Sequence, residues 1–194
     1  MQTATPLDAE ARARADVLAR DARFSAFVKE HQDRAVRIAW RLLGGDDAAA
    51  EDVAQEAFVR AFRGLERFRE DASMAAWFYG ILVNEARRAR RWRAVRARWN
   101  AAWDHDPPDP MPRADTEPML RARIAVAVDR LSQGQREAFV LAYLEGFSVE
   151  QVAQQLGKSA GTIKSHLHRA LVSLRDNLGD LAAPDWKMNQ EDSE

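Results

Sequence analysis

The chain has 194 residues, with 29 basic against 30 acidic side chains and no cysteine, a length that suits one ordinary core or two small helical ones. Without cysteine, a disulfide framework, a thiolate zinc site and a cysteine nucleophile are excluded, and a reducing intracellular setting fits. No run approaches the roughly 18 apolar residues of a membrane span and the N-terminus lacks the apolar stretch of a signal peptide, so insertion and secretion are not expected.

Residues 1–15, polar and Ala/Arg-rich with Pro6, read as a disordered extension. From Asp16 the pattern is helical. Phe24, Phe27, Val28, His31, Ala35, Ile38 and Leu42 recur at three- and four-residue steps and lay down one apolar stripe. Gly44-Gly45 stops that helix, and Asp46-Asp47 can cap the next. The second helix carries Val53, Ala57, Ala61 and Leu65 on its buried stripe. Ser73 stands as N-cap of a third, from Met74 to the mid-90s, with an apolar first half (Trp77, Phe78, Ile81, Leu82) and an arginine-rich second half. The first half should pack, and the second should project charge into solvent or onto a partner.

Residues 104–118, DHDPPDPMPRADTEP, hold five prolines and form no regular element. Proline locks φ and removes backbone donors, while the acids repel one another, so this is an extended linker. It divides the chain into a first module over 16–98 and a second over 119–180, with 99–118 between them and a tail over 181–194 whose sequence signals no function. Trp92, Trp99 and Trp103, near the boundary, are candidate anchors for the linker. The second module opens on a helix using Leu120, Ile124, Val128 and Leu131. Ser132-x-x-Gln135 and Ser148-x-x-Gln151 then read as capping boxes on either side of REAFVLAYLEG. No segment alternates cleanly with period two, so the fold class is all-α.

Charge is unevenly distributed. Residues 60–98 hold eleven arginines against four acids, 104–118 hold five acids against one arginine, and 158–175 hold four basic residues and no acid. Two basic segments with an acidic spacer point to two surfaces for a polyanion. For either run alone, a solvated helical face is the simpler account.

Residues 148–175, SVEQVAQQLGKSAGTIKSHLHRALVSLR, form a two-helix corner. Small Ala153 lets the second helix cross closely, Gly157 supplies a left-handed turn residue, and Ile163 locks the pair. Lys164, Ser165, His168 and Arg169 are left on the outward side of the second helix, which in a helix-turn-helix enters the major groove. Ser159, near its N-terminus, adds a hydroxyl beside exposed amides that suit a phosphate.

At these residues the chain resembles the extracytoplasmic-function (ECF) subgroup of the sigma-70 family of bacterial RNA polymerase sigma factors. EDVAQEAFVRAF (51–62) resembles region 2.2, FREDASMAAWFYGILVNEARRARR (68–91) resembles regions 2.3 and 2.4, and 131–171 resembles region 4. The short linker matches a subgroup that lacks region 3. The resemblance implies that Asp52, Gln55, Glu56, Val59 and Arg63, on one side of the second helix, grip the clamp helices of the largest polymerase subunit. It implies that Asn84 takes a flipped base of the melted −10 strand, with Arg87, Arg88 and Arg91 on phosphates. Trp77 matches a family aromatic, although an aromatic on the apolar half of a helix reads first as core. Ser159, Lys164, Ser165, His168 and Arg169 match positions on −35 duplex, and the second module would dock on the flap of the second-largest subunit. An anti-sigma factor is the further partner implied, and the cytoplasm the implied location.

Two other functions compete. An enzyme is poorly supported: His31, His105, His166 and His168 are scattered, the last two point to different sides of a helix, and no HExxH, P-loop or GxSxG occurs. No catalytic residue, metal site or cofactor is therefore expected. A helix-turn-helix regulator acting alone on duplex DNA would explain 148–175 but should carry a sensor or receiver domain of alternating strands and helices, where this chain has a helical, arginine-rich half.

Overall fold

The computed structural model describes residues 6–68, 73–100 and 117–178. Helices α1 (Pro6–Leu42), α2 (Asp47–Gly64) and α3 (Met74–Asn100) form the first module, with a single 3-10 turn at Leu65–Arg67. Helices α4 (Glu117–Asp129), α5 (Gln133–Phe139), α6 (Val149–Leu156) and α7 (Ala160–Leu178) form the second. Among the described residues there is no strand.

Helix α1 begins ten residues earlier than the disordered extension over 1–15 allowed, at Pro6, leaving only 1–5 outside the described residues. The reason is local: PLDAEARARADVLAR is rich in strong helix formers, and proline is favoured at the first helical position, where its missing N–H has no partner to lose. Phe24, Ala35, Ile38 and Leu42 of the stripe are buried. Gly44 and Gly45, at φ +73° and +92°, end the helix. Asp46 then accepts the amide of Ala49 at 2.9 Å and starts α2.

Alanines 50, 54, 57 and 61 line the inner face of α2 and let α1 and α3 come close. Phe58 stacks on Phe78 at 4.4 Å, and Phe27 meets Phe78 edge-on at 5.3 Å. At the start of α3, Ser73 Oγ accepts the amide of Ala76 at 3.4 Å. Trp77 is half-buried against Phe68 and the Gly64 backbone, a packing role.

The linker is shorter at both ends than its composition implied. Trp99 and Asn100 complete α3, while Glu117 and Pro118 open α4, because proline is tolerated in a first turn. Trp103 and the rest of the linker lie outside the described residues, as does the tail. Trp92 and Trp99 are exposed.

In the second module Ser132 N–H donates to Gln135 Oε1 at 3.0 Å, and Ser148 and Gln151 exchange both bonds of their capping box. Arg136, 4% exposed, donates to the carbonyls of Val128, Asp129 and Leu131, closing the C-terminus of α4. Past α5 the helix widens into a π turn at Val140–Leu144, in which the Glu145 amide reaches back to the Val140 carbonyl at 3.0 Å. Gly146, at φ +72°, ends it.

The modules are not separate bodies on a tether. Their buried residues form one continuous cluster from Phe24 to Leu174, and α3 packs along α6.

Candidate nucleic-acid interface

Helices α6 and α7 build the corner from local rules. Gly157 takes the left-handed conformation at φ +61°, and the Lys158 amide closes on the Ala153 carbonyl at 2.9 Å. Ser159 Oγ accepts the Thr162 amide at 3.1 Å, so this hydroxyl is spent on starting α7. Ile163, Leu167, Ala170 and Leu174 face inward and are buried. Lys164, Ser165, His168 and Arg169 are all exposed, and none of them bonds a carboxylate among the described residues. Ser165 Oγ donates to the Gly161 carbonyl at 3.0 Å, which leaves its lone pairs outward. His166, partly buried, lies against Gly134 of α5, where an added Cβ would stand 2.8 Å from the imidazole. The outer face of α7 is thus an open cationic strip with exposed hydroxyls.

Helix α3 is arranged differently. Asn84, Arg88 and Arg91 are exposed and share one face by helical periodicity. Arg87, Arg90 and Arg93 turn toward protein. Arg87 gives Nε and Nη2 to the two oxygens of Glu137 at 2.7 and 2.5 Å, and its Nη1 to Asn84 Oδ1 at 3.0 Å. The hydrogen bond to Glu137 pushes the pKa of the Arg87 guanidinium up. Arg90 bonds Asp129 at 2.7 Å and the Leu42 carbonyl at 3.1 Å, and Arg93 bonds Asp46 and the Leu43 carbonyl. Composition showed these arginines as one cationic run, whereas the fold spends Arg87, Arg90 and Arg93, three residues apart, on carboxylates and helix-end carbonyls.

On α2, Asp52, Gln55 and Arg63 are exposed and Glu56 and Val59 half-buried, on the side away from buried Val53, Ala57 and Ala61. Glu56 accepts Arg60 Nε at 2.8 Å, and Arg60 also meets the buried carboxylate of Glu85 at 3.1 Å. The three predicted sets lie on three different helices.

Sequence reasoning missed the acidic partners. Glu137 is 3% exposed, and the Glu145 side chain, 2% exposed, takes Arg34, Arg37 and Arg41 of α1. The one signal available was a glutamate inside each end of the apolar run REAFVLAYLEG. Among the described residues no group of three or more His, Asp or Glu is placed to hold a metal ion, and no helix is long and apolar enough to cross a membrane.

Residues 27–96 match the family described as Sigma-70 region 2, and 121–174 match Sigma-70, region 4. The chain is 34% identical over 157 residues to the ECF RNA polymerase sigma factor SigE of Mycolicibacterium smegmatis, covering 78% of this chain and 60% of that protein. It is 34% identical over 155 residues to the RNA polymerase sigma-E factor of Streptomyces coelicolor, covering 80% and 85%. Among solved structures it is similar to the sigma factor RpoE in complex with the anti-sigma factor NepR from Bartonella quintana, with a TM-score of 0.64, 27% identity, and 80% and 96% of the two chains covered. CnrH in complex with the cytosolic domain of CnrY gives a TM-score of 0.61 at 28% identity, covering 80% and 86%.

Proposed function

We propose, from the premise that the chain belongs to the sigma-70 family as an ECF sigma factor, that it binds core RNA polymerase and brings it to promoters of two spaced elements. In this reading Asp52, Gln55, Glu56, Val59 and Arg63 grip the clamp helices of the largest subunit. Asn84 reads a flipped base of the melted −10 strand, with Arg87, Arg88 and Arg91 on its phosphates. Lys164, Ser165, His168 and Arg169 enter the −35 major groove, and Ser159 offers the N-terminus of α7 to a phosphate. The module boundaries at 16–98 and 119–180 carry these two tasks, the second module docks on the flap, and the acidic linker crosses the polymerase's basic channel. The chain does no covalent chemistry and acts in the cytoplasm. An anti-sigma factor is a partner, as it is for the structural relative solved with NepR.

The observation that carries the reading is the exposed outer face of α7, Lys164 to Arg169, in a helix-turn-helix that follows a region 2 match on the same chain. Run-off transcription with purified core polymerase on a promoter library tests it. Initiation confined to templates sharing two spaced elements, and dependent on this protein, is expected. Duplex binding without core and no initiation would instead identify a stand-alone regulator.

A further inference from the structure

The packing of the two modules is uneven. Where α3 meets α6 it is tight: Gly80 faces the Gln155 carbonyl, and an added Cβ would stand only 2.8 Å from the oxygen. A mid-helix glycine is costly, and here its missing side chain is what lets the two helices touch. Between α1 and α4 the packing is open. Trp40 of α1, Ile124, Ala125 and Val128 of α4 and Leu144 of the π turn wall a cleft of about 420 Å³. Trp40 and Ile124 are 37% and 36% exposed, so two large apolar side chains meet water there. Arg37 and Arg41 complete the lining. Together with Arg34 they share the one carboxylate of Glu145, three guanidiniums for a single negative charge, and Arg37 remains half-exposed. The cleft is thus apolar within and short of anions along one edge.

We propose that this cleft is the docking site of the chain's own C-terminal tail, residues 179–194, with the indole of Trp186 in the cleft and the tail's acidic side chains toward Arg37 and Arg41. Position, charge and side-chain chemistry select this occupant. Asn177 accepts Arg130 Nη1 at 3.1 Å, so the chain leaves α7 beside the end of α4, the helix that supplies one wall. Trp186 stands eight residues past Leu178, a reach of up to about 26 Å. The tail carries Asp180, Asp185, Glu191, Asp192 and Glu194 against Lys187, the sign that the cleft lacks. Trp186 is its one aromatic, a large apolar body with a polar N–H that can stay at the mouth. A tethered ligand also acts at high effective concentration, so a contact of modest strength is populated.

The chain has no cysteine, so an introduced pair is the only one, and disulfide trapping reads proximity in the full-length protein. Lys187→Cys is combined with Ala125→Cys in the cleft or, as a control of similar reach, with Val126→Cys, which is exposed on the other side of α4. Mild oxidation is followed by gel mobility and peptide mapping, and circular dichroism checks that helix content is retained. The expected result is cross-linking within the chain at least tenfold faster for the Ala125→Cys pair, falling to the control rate when Trp186→Ser is added. Equal rates for the two pairs, or a fast rate that survives Trp186→Ser, would overturn the docking. Salt at about 1 M should narrow the contrast at least twofold, and an unchanged contrast would overturn the pairing of the tail's acids with the arginines. Two outcomes would overturn the proposal by naming another occupant. Faster trapping of Ala125→Cys by Met111→Cys than by Lys187→Cys would give the cleft to the linker, and cross-links formed between chains rather than within them would give it to a second copy.

Discussion

Helices α3 and α7 are both basic, and they handle their charge in opposite ways. On α7 buried and exposed positions are segregated: Ile163, Leu167, Ala170 and Leu174 point in, and Lys164, Ser165, His168 and Arg169 point out, none of them bonded to a carboxylate among the described residues, although Glu150 feels the charge of Lys164. On α3 one residue faces both ways, since Arg87 bonds exposed Asn84 and holds buried Glu137. A cationic run on a helix therefore does not by itself measure the charge available to DNA. What the neighbouring element offers decides it.

The strongest attack on the α7 side of this contrast is through its inner face. Ile163→Ala deletes a fully buried side chain and should cost about 3 kcal/mol of stability, read as a lower urea midpoint, with DNA binding lost only as the fold is lost. Arg169→Ala on the outer face should do the reverse. It should cost about 1–3 kcal/mol in −35 duplex affinity, with the melting temperature unchanged, and an equal loss of stability would show that α7 is not segregated.

The corresponding change on α3 should not separate so cleanly. Arg87→Ala is expected to loosen the packing of the two modules and at the same time weaken strand binding by about 1 kcal/mol, the scale of one phosphate contact, measured by scattering and by anisotropy. A pure binding loss at constant size would erase the difference between the helices. Asn84→Ala, beside it, should slow promoter opening more than it weakens core binding, compared by permanganate footprinting and a core-binding titration.

The smallest effect lies on the buried side of α3, where the Tyr79 hydroxyl meets His31 Nδ1 at 3.0 Å. Burial, opposed by Glu30 and assisted by Arg34, holds the His31 pKa below its ordinary value of 6.5. The unfolded chain then takes up a proton first, so the stability His31 contributes is present above pH 6.5 and lost as the pH falls from there toward its folded pKa. Melting temperatures of wild type and His31→Asn, compared at pH 7.5 and 5.5, should differ in their pH dependence, with the variant the flatter. Burial likewise pushes the Tyr79 hydroxyl up to about 12, so no titration there interferes.

Most of the secondary structure was legible in the chain because its signals are local. The stops at Gly44-Gly45 and Gly157, the caps at Asp46, Ser73 and Ser148, and the helical stripes each act within about four residues, the reach of one helical turn. The outer face of α7 was legible for the same reason, since the apolar positions of one short helix assign its other side. The start of α1 at Pro6 follows from helix propensity, which the polar composition of residues 1–15 masks.

What the sequence by itself determined, then, is the set of helices, their buried stripes and the two basic segments. Only the tertiary structure decided which arginines remain free, that a π turn carries Glu145 to α1, and that Gly80 brings α3 against α6. The physical reason is distance along the chain. Arg87 and Glu137 are 50 positions apart and Arg34 and Glu145 are 111, so no periodicity links them, and the pairing exists only once both modules have folded and their packing has removed the water between them.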